Sequence, residues 1–288
     1  MVVDRLGTVI RDFPTGSSPA LRARLERHAD QDDHDPQRLR PASIVMLVRD
    51  GDDGLELFIL KQVSLMDRSP ARAIFPGGGV DGRDGDDALP WAGPSALEWG
   101  NRLGTDPHGA RVLVVGAVRE VFEECGVLLA SDRPDGPLSD VDGEQWRLAR
   151  EGLVSRELAL CQLLIQHHLV LRSDLLRAHA HWITPEFEPK RYDIRVFVAK
   201  MPPSQTAVVS TRDPEAAGWS SPASILADHE AGEIVLTPTA LICVEDAARF
   251  ATADAFFDHT PVIRTIEPKL ERADDGTVVL RVIVDGPP

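Results

Sequence analysis

The chain has 288 residues, of which 43% are hydrophobic and 27% charged, a balance typical of a folded globular protein. Its 31 Lys and Arg against 46 Asp and Glu give a formal net charge of −15, which argues against a nucleic acid as a partner. No apolar run approaches the ~20 residues that cross a bilayer, and the polar start differs from a signal peptide, so we expect a cytoplasmic protein with no membrane partner. Cys125, Cys161 and Cys243 lie far apart in apolar surroundings, which predicts buried, reduced thiols.

The hydropathy pattern divides the chain into an N-terminal extension over residues 1–41, a main domain over 42–252 and a C-terminal β-hairpin tail over 253–288. At the start of the main domain, β-rich runs over 43–49 and 55–61 flank a turn cluster, which predicts a hairpin. The later elements predicted in chain order are a glycine loop at 75–79, helices over 105–125, 144–149 and 155–167, strands over 178–184 and 191–200, helices over 222–229 and 238–250, and strands over 262–271 and 277–284. Because strands and helices interleave without strict βαβ order, we predict the α/β (α+β mixed) class, with a mixed sheet covered by helices.

The helix predicted over 105–125 begins with an N-cap and a proline and carries three carboxylates on one face. Glu120, Glu123 and Glu124 are spaced i, i+3 and i+4, so their side chains converge. Like charges at this spacing destabilise a helix by about 0.2–0.5 kcal/mol, and acids in its last turn oppose the helix dipole by about 0.3–1 kcal/mol each. A divalent cation removes both penalties, because hard cations take several carboxylate oxygens as ligands. The spacing therefore indicates a metal site, with a solvated acidic face as the alternative.

The glycine loop and the acidic helix together resemble one known pattern, the Nudix box G-x5-E-x7-R-E-U-x-E-E-x-G-U, in which U is aliphatic. Residues 119–127, Arg-Glu-Val-Phe-Glu-Glu-Cys-Gly-Val, match every fixed position in the second half of this pattern. Counting forward from Gly78 brings Asp84 to the position where the family has Glu. The chain is therefore similar to the Nudix hydrolases, with one shortened carboxylate in the box.

Residues 85–111 remain as an insertion within the box, between the glycine loop and the acidic helix. Loop-closure entropy grows only logarithmically with length, so a surface insertion here costs on the order of 1 kcal/mol or less. The segment is rich in proline and glycine, and we interpret it as a surface loop whose excision leaves the protein folded. Trp91 and Trp99 either stack on a nucleotide base or form a small satellite core.

The resemblance to the Nudix hydrolases covers about Ala42 to Phe250 and implies a Nudix-type α/β/α sandwich with extra helices. It implies metal-dependent hydrolysis of a pyrophosphate bond in a nucleoside diphosphate linked to another moiety, with Mg²⁺ or Mn²⁺ as the cofactor. The insertion and the stretches 181–185 (HWITP) and 191–195 (RYDIR) resemble the branch that includes coenzyme A diphosphatases, so coenzyme A or an acyl-CoA is the favoured substrate. The alternatives are an ADP-ribose, NADH or dinucleoside polyphosphate pyrophosphatase, and a catalytically silent Nudix fold used as a ligand-sensing or interaction module. A homodimer is left open.

Individual residues take their roles from this pattern. Glu120 and Arg119 are the catalytic residues of the box, and Glu120, Glu123 and Glu124 are its metal ligands. Arg119 resembles the family arginine that orients a neighbouring carboxylate, with a plain i,i+4 pairing to Glu123 as the alternative. Glu215, in a later loop, is the candidate general base, and an exposed loop acid is the alternative. The candidates to bind the substrate phosphates are the loop glycines and three arginines, namely Gly77, Gly78, Gly79, Arg68, Arg72 and Arg191.

Overall fold

The computed structural model describes residues 2–3, 8–14, 38–62, 70–136, 138, 140–208, 217–273 and 275–285. These residues form two compact units. The terminal unit contains the described residues of Met1–Pro41, His181–Ile194 and Arg264–Pro288, and the main unit contains those of Ala42–Ala180 and Arg195–Ile263. Across the described part of the chain, every helix is too short or too polar to span a membrane.

Strands and helices alternate along the chain, which confirms the predicted mixed α/β class. The strands are β1 (Val2–Val3), β2 (Thr8–Pro14), β3 (Arg40–Gly51), β4 (Gly54–Gln62), β5 (Ala71–Ile74), β6 (Gly77–Gly79), β7 (Trp91–Ala92), β8 (Ala130–Ser131), β9 (Val170–Arg172), β10 (Leu176–Ile183), β11 (Tyr192–Lys200), β12 (Ala217–Ser220), β13 (Ile234–Leu236), β14 (Thr265–Ile266), β15 (Lys269–Arg272) and β16 (Val278–Asp285). The α-helices are α1 (Ala96–Leu103), α2 (Pro107–Cys125), α3 (Glu144–Val154), α4 (Leu160–Gln166), α5 (Pro222–Glu230), α6 (Pro238–Ala247) and α7 (Ala253–Phe257). Short 3₁₀ turns occur at Gly82–Gly85 and Ser173–Leu175.

The main unit is built on a sheet with the strand order β13–β5–β4–β3–β11–β10. Strands β3 and β4 form the predicted hairpin, with Gly51 opposite Gly54. Strand β12 pairs with β4, and β6 pairs with β3. Because β13 runs parallel to β5 while β4 runs antiparallel to it, the sheet is mixed, as predicted.

Helix α2 lies against the core of the main unit, and both of its ends follow the sequence prediction. The Asp106 carboxylate accepts hydrogen bonds from the N–H groups of His108 and Gly109 at 2.9 and 3.0 Å, so it caps the helix. The helix ends at Gly126, whose φ of 70° is left-handed. The side chains of α2 that face the core are almost fully buried, namely Val114, Val118, Val121, Phe122 and Cys125. Burial of this face leaves the carboxylates of the helix on the other side.

The other predicted elements all occur, with some ends shifted. Helix α3 continues to Val154, and α4 begins only at Leu160, because the chain turns between them through Arg156 at a left-handed φ of 62°. The strand predicted over 262–271 is two short strands, β14 and β15. The three cysteines are buried free thiols, as predicted.

The insertion over 85–111 is not a surface loop, and its interpretation from the sequence was wrong. It contains β7 and α1, and Ser95 and Glu98 exchange capping hydrogen bonds at the start of α1. Trp99 is fully buried in the main core, and its ring centroid lies 5.9 Å from that of Phe197. Because this large ring fills the main core, Trp99 does not belong to a satellite core, and the segment is part of the folded unit.

The terminal unit is built on the four-stranded sheet β1–β2–β16–β15. Strands β15 and β16 form the predicted C-terminal hairpin, with Arg272 opposite Val278. Strand β16 also pairs antiparallel with β2 over seven residue pairs, so the N-terminal extension and the C-terminal tail share one sheet. In the same unit, β14 runs parallel to the end of β10, with Thr265 opposite His181.

Candidate functional site

Helix α2 brings the three predicted metal ligands to its last two turns. The side chains of Glu120 and Glu123 are only 10% and 13% exposed, so both carboxylates are largely shielded from water. Glu124 accepts a hydrogen bond from the Gly77 N–H at 2.8 Å. The helix and the glycine segment therefore meet at these carboxylates, as the sequence pattern predicts.

Arg119 connects the carboxylates to one another. Its Nη1 donates to Glu120 Oε1 at 2.9 Å and to Glu123 Oε1 at 3.0 Å. Its Nε and Nη2 donate to the Asp84 carboxylate over 3.0 to 3.2 Å, and Nη2 also donates to the Gly79 carbonyl oxygen at 3.0 Å. Arg119 thus both orients neighbouring carboxylates and makes the i,i+4 pair with Glu123, so the two roles considered for it occur together.

Asp84, at the box position where the family has Glu, is buried in the 3₁₀ turn that follows the glycine segment. Its Oδ2 accepts a hydrogen bond from the Asp81 N–H at 2.8 Å, while Asp81 caps the turn. The Asp84 carboxylate is therefore fixed on one side by the turn and on the other by Arg119. Its shorter side chain still reaches the guanidinium, and the pair holds Arg119 in place between the carboxylates.

The glycine segment is strand β6 rather than a free loop, which corrects the sequence prediction. It pairs with β3, with Ile44 opposite Gly77. A Cβ on Gly77 would lie 2.4 Å from the Ser43 carbonyl oxygen, and one on Gly78 would lie 2.7 Å from Glu120 Oε1. Any larger residue at these positions would collide with the neighbouring strand or with the carboxylate. Gly77 therefore allows the close approach of β6 to β3, and Gly78 allows the close approach of β6 to Glu120 on α2.

Burial raises the pKa values of three carboxyl groups of this cluster, those of Asp84, Glu120 and Glu124. Burial raises the pKa of Glu120 to about 7, against the charge of Arg119, and the charge of Glu123 adds to the rise. Burial also raises the pKa of Asp84 and of Glu124, against the hydrogen bonds that each accepts. Burial lowers the pKa of Arg119, but the hydrogen bonds and charge of Asp84, with the charges of the two glutamates, raise it above its ordinary value. One guanidinium thus serves three carboxylates, and negative charge remains in excess.

The donor chemistry of this cluster fits a hard divalent cation. Within the described ranges, no three His, Cys, Asp or Glu side chains already converge on a single point, and Arg119 lies between Glu120 and Glu123. Carboxylate oxygens are the ligands that Mg²⁺ prefers, and a cation would offset the excess negative charge. Glu120, Glu123 and Glu124 are the residues that would hold it.

The structure describes two of the three predicted phosphate-binding arginines, but not the third arginine or the predicted general base. Arg72 is exposed on β5 in the main unit. Arg191, in the terminal unit, is buried and donates to the Thr184 carbonyl oxygen at 3.0 Å and to the Glu267 carboxylate. Arg68 and Glu215 lie outside the described residues.

The sequence did not predict one contact to the end of helix α2. Arg150, on α3, donates from its Nε to the carbonyl oxygen of Glu123 at 2.7 Å. The two residues lie 27 positions apart on different helices, so no local spacing relates them. Only the packing of α3 against the end of α2 identifies this residue.

Two comparisons with known proteins found a similar domain and a similar fold. Residues 103–245 match the family model described as the NUDT19 Nudix domain. No curated protein matches the chain at a significant level. The crystal structure of a NUDIX hydrolase from Alicyclobacillus acidocaldarius is 22% identical with a TM-score of 0.60, covering 78% of this chain and 98% of that chain. A mutator MutT protein from Bacillus halodurans is 11% identical with a TM-score of 0.38, covering 86% and 100% of the two chains. The first of these likenesses shows a shared fold, and the second is too weak to support an argument.

Proposed function

We propose that this chain is a Nudix hydrolase that cleaves a pyrophosphate bond in a nucleoside diphosphate linked to another moiety, with Mg²⁺ or Mn²⁺ as cofactor. The observation that carries the proposal is the complete second half of the box, residues 119–127, folded as a helix end whose carboxylates meet the glycine strand. A small nucleotide derivative is the partner that this chemistry requires. The three buried free thiols support a cytoplasmic location, and a homodimer stays a prediction.

The reaction to be catalysed is attack of water on one phosphorus of the anhydride, with cleavage of its P–O bond to the bridging oxygen. A divalent cation held by Glu120, Glu123 and Glu124 would neutralise phosphate oxygens and lower the pKa of a bound water. Arg119 orients two of these carboxylates through its Nη1 hydrogen bonds. Asp84 in turn fixes the guanidinium, so the carboxylate geometry is set before substrate arrives.

We also propose roles for the glycine segment, for the general base and for the predicted arginines. The backbone of Gly78 and Gly79 leaves the space beside Glu120 free of side chains, which allows a phosphate to approach. Glu215 remains the proposed general base, and Arg68 and Arg72 remain proposed phosphate contacts. Arg191 is proposed as a substrate contact although its guanidinium already pairs with Glu267.

Coenzyme A or an acyl-CoA is the substrate that we favour within this class. The support is the resemblance of residues 181–185 and 191–195 and of the box insertion to the coenzyme A diphosphatase branch. Incubation of coenzyme A with the protein and Mg²⁺ should then give adenosine 3′,5′-bisphosphate and phosphopantetheine, detected by chromatography. If the protein hydrolysed ADP-ribose but not coenzyme A, ADP-ribose would become the assigned substrate.

The variant Glu124→Gln tests the proposed metal site. Gln keeps an oxygen that accepts the Gly77 N–H but removes the charge, so kcat/KM should fall by more than about 100-fold with the melting temperature unchanged. Glu230→Gln, at the exposed end of α5, removes the same charge and should leave the activity unchanged. Full activity of Glu124→Gln would rule out the proposed role of this carboxylate.

A further inference from the structure

Carbonyl oxygens at the C-terminal end of α2 accept hydrogen bonds from residues outside the helix. The last carbonyls of any α-helix lack partners within it, and the last turn of α2 contains two acids and no basic residue. Arg150 Nε donates to the Glu123 carbonyl oxygen at 2.7 Å, and the Val208 N–H donates to the Cys125 carbonyl oxygen at 2.7 Å. Two of these carbonyls therefore receive donors from distant parts of the chain.

The two donors are also joined to each other. Arg150 Nη1 donates to the Val208 carbonyl oxygen at 2.8 Å, which links α3, the end of α2 and the segment that precedes residue 209. The same segment is fixed by the buried Gln205 side chain, which exchanges hydrogen bonds with the Leu128 backbone at 2.9 and 3.0 Å. Arg150 and Val208 thus hold the end of α2, and Gln205 fixes the segment that contains Val208.

The charge of Arg150 matters at this position. Glu123 and Glu124 lie where the negative end of the helix dipole disfavours acids, and Arg150 places a cation against that end. Its Nη2 is buried and has no hydrogen-bond partner among the described residues, although an unpaired buried donor destabilises a fold. A neutral donor would therefore close the helix end at a smaller cost. The guanidinium is better explained by what it does for the carboxylates of that turn.

We propose that Arg150 is a positioning residue for the metal-dependent hydrolysis, which holds the last turn of α2 so that Glu123 and Glu124 keep the orientation needed to bind the cation. This inference rests on the proposed function, since it concerns the same carboxylates. Arg150 acts through its hydrogen bond to the backbone of Glu123, whereas the hydrogen bond that the Glu124 carboxylate accepts comes from Gly77.

Mn²⁺ binding to the substrate-free protein, measured by titration calorimetry, tests this role. Arg150→Met should weaken Mn²⁺ binding by about tenfold and speed amide hydrogen exchange at residues 124–128 in the metal-free protein, because the last turn of α2 loses the hydrogen bonds of Arg150 that hold it in place. Arg150→Lys restores the charge but not both hydrogen bonds, so it should recover part of the affinity. Arg147→Met is the matched control, because it removes the same charge from an exposed arginine of α3 that pairs with Glu144 and Glu151.

Mn²⁺ affinity of Arg150→Met equal to that of the wild type overturns the positioning role, whatever happens to the melting temperature. An equal loss of affinity in Arg147→Met also overturns it, because the effect would then not depend on the hydrogen bonds that Arg150 makes to the end of α2. If Arg150→Met does not fold, Arg150→Lys is measured in its place, and wild-type affinity in that variant overturns the inference. A wild-type protein that neither binds Mn²⁺ nor cleaves a diphosphate would instead remove the proposed function itself.

Discussion

At the scale of single residues, Glu120 is a side chain whose pKa the fold shifts towards neutral pH. Burial raises its pKa from the ordinary 4.5 to about 7. At a pH between these two values, the folded, metal-free protein therefore holds a proton on Glu120 that the unfolded chain has released. The stability that this group contributes at low pH is therefore lost as the pH rises between these two values. The loss is on the order of 3 kcal/mol across the window.

The variant Glu120→Gln cannot ionise and should escape this loss. With a chelator present, its free energy of unfolding minus that of the wild type should rise by on the order of 1–3 kcal/mol between about pH 5 and about pH 8. Urea denaturation at the two pH values measures this difference, and Glu230→Gln serves as the exposed control. A difference that does not change with pH would show that Glu120 is already ionised in the folded protein.

The residues of the site differ in how far sequence reasoning could find them. Glu120, Glu123 and Glu124 follow a local helical period, so their shared face was predicted from spacing alone. The close contact of Gly78 with Glu120, and that of Arg150 with Glu123, depend on how separate elements pack. No sequence period encodes such contacts, and the structure was needed to find them.

At the scale of elements, the insertion within the box shows where the sequence argument failed. The proline and glycine content of residues 85–111 favoured a surface loop, but the structure has a helix there whose start is capped by Ser95 and Glu98. The burial of Trp99 against Phe197, nearly a hundred residues later, could not be predicted from any local pattern. Excision of the segment is now expected to unfold the main unit rather than to leave it intact.

Trp99→Ala tests this revised view of the insertion. Removal of a fully buried indole from a close-packed core should lower the free energy of unfolding by about 3–5 kcal/mol in urea denaturation. Leu97→Ala, two residues away on α1 and 61% exposed, should change it by less than about 0.5 kcal/mol. If both substitutions lowered the free energy of unfolding equally, the interpretation of the segment as a surface loop would be supported instead.

At the scale of the whole molecule, the two ends of the chain meet in one sheet. Residues 8–14 of β2 pair with 279–285 of β16, a contact between strands near opposite ends of the chain that no hydropathy pattern specifies. The hairpin of β15 and β16 was predicted, because its turn and alternation are local, whereas its pairing with β2 was not. Sequence reasoning thus recovered most elements and the position of the box carboxylates on one helix, but not the long-range pairings that assemble the terminal unit.

The net charge of −15 also gains an explanation at this scale. Part of the acidic excess lies in one cluster, in which Asp84, Glu120 and Glu123 share Arg119 and Glu124 lies against Gly77. An acidic protein can bind an anionic diphosphate if this cluster first binds a cation. The acidity that argued against nucleic acid is therefore compatible with a phosphate-containing substrate.

The most direct test of this account is hydrolysis of coenzyme A in ¹⁸O-labelled water with Mg²⁺, followed by mass spectrometry of the products. We predict that one ¹⁸O atom enters one of the two phosphate products, that the other product is unlabelled, and that Glu124→Gln abolishes the labelling. Label in one product shows that water attacks a single phosphorus of the anhydride. Failure of the wild-type protein to cleave coenzyme A, ADP-ribose, NADH or a dinucleoside polyphosphate with either Mg²⁺ or Mn²⁺ would contradict the proposed hydrolase activity.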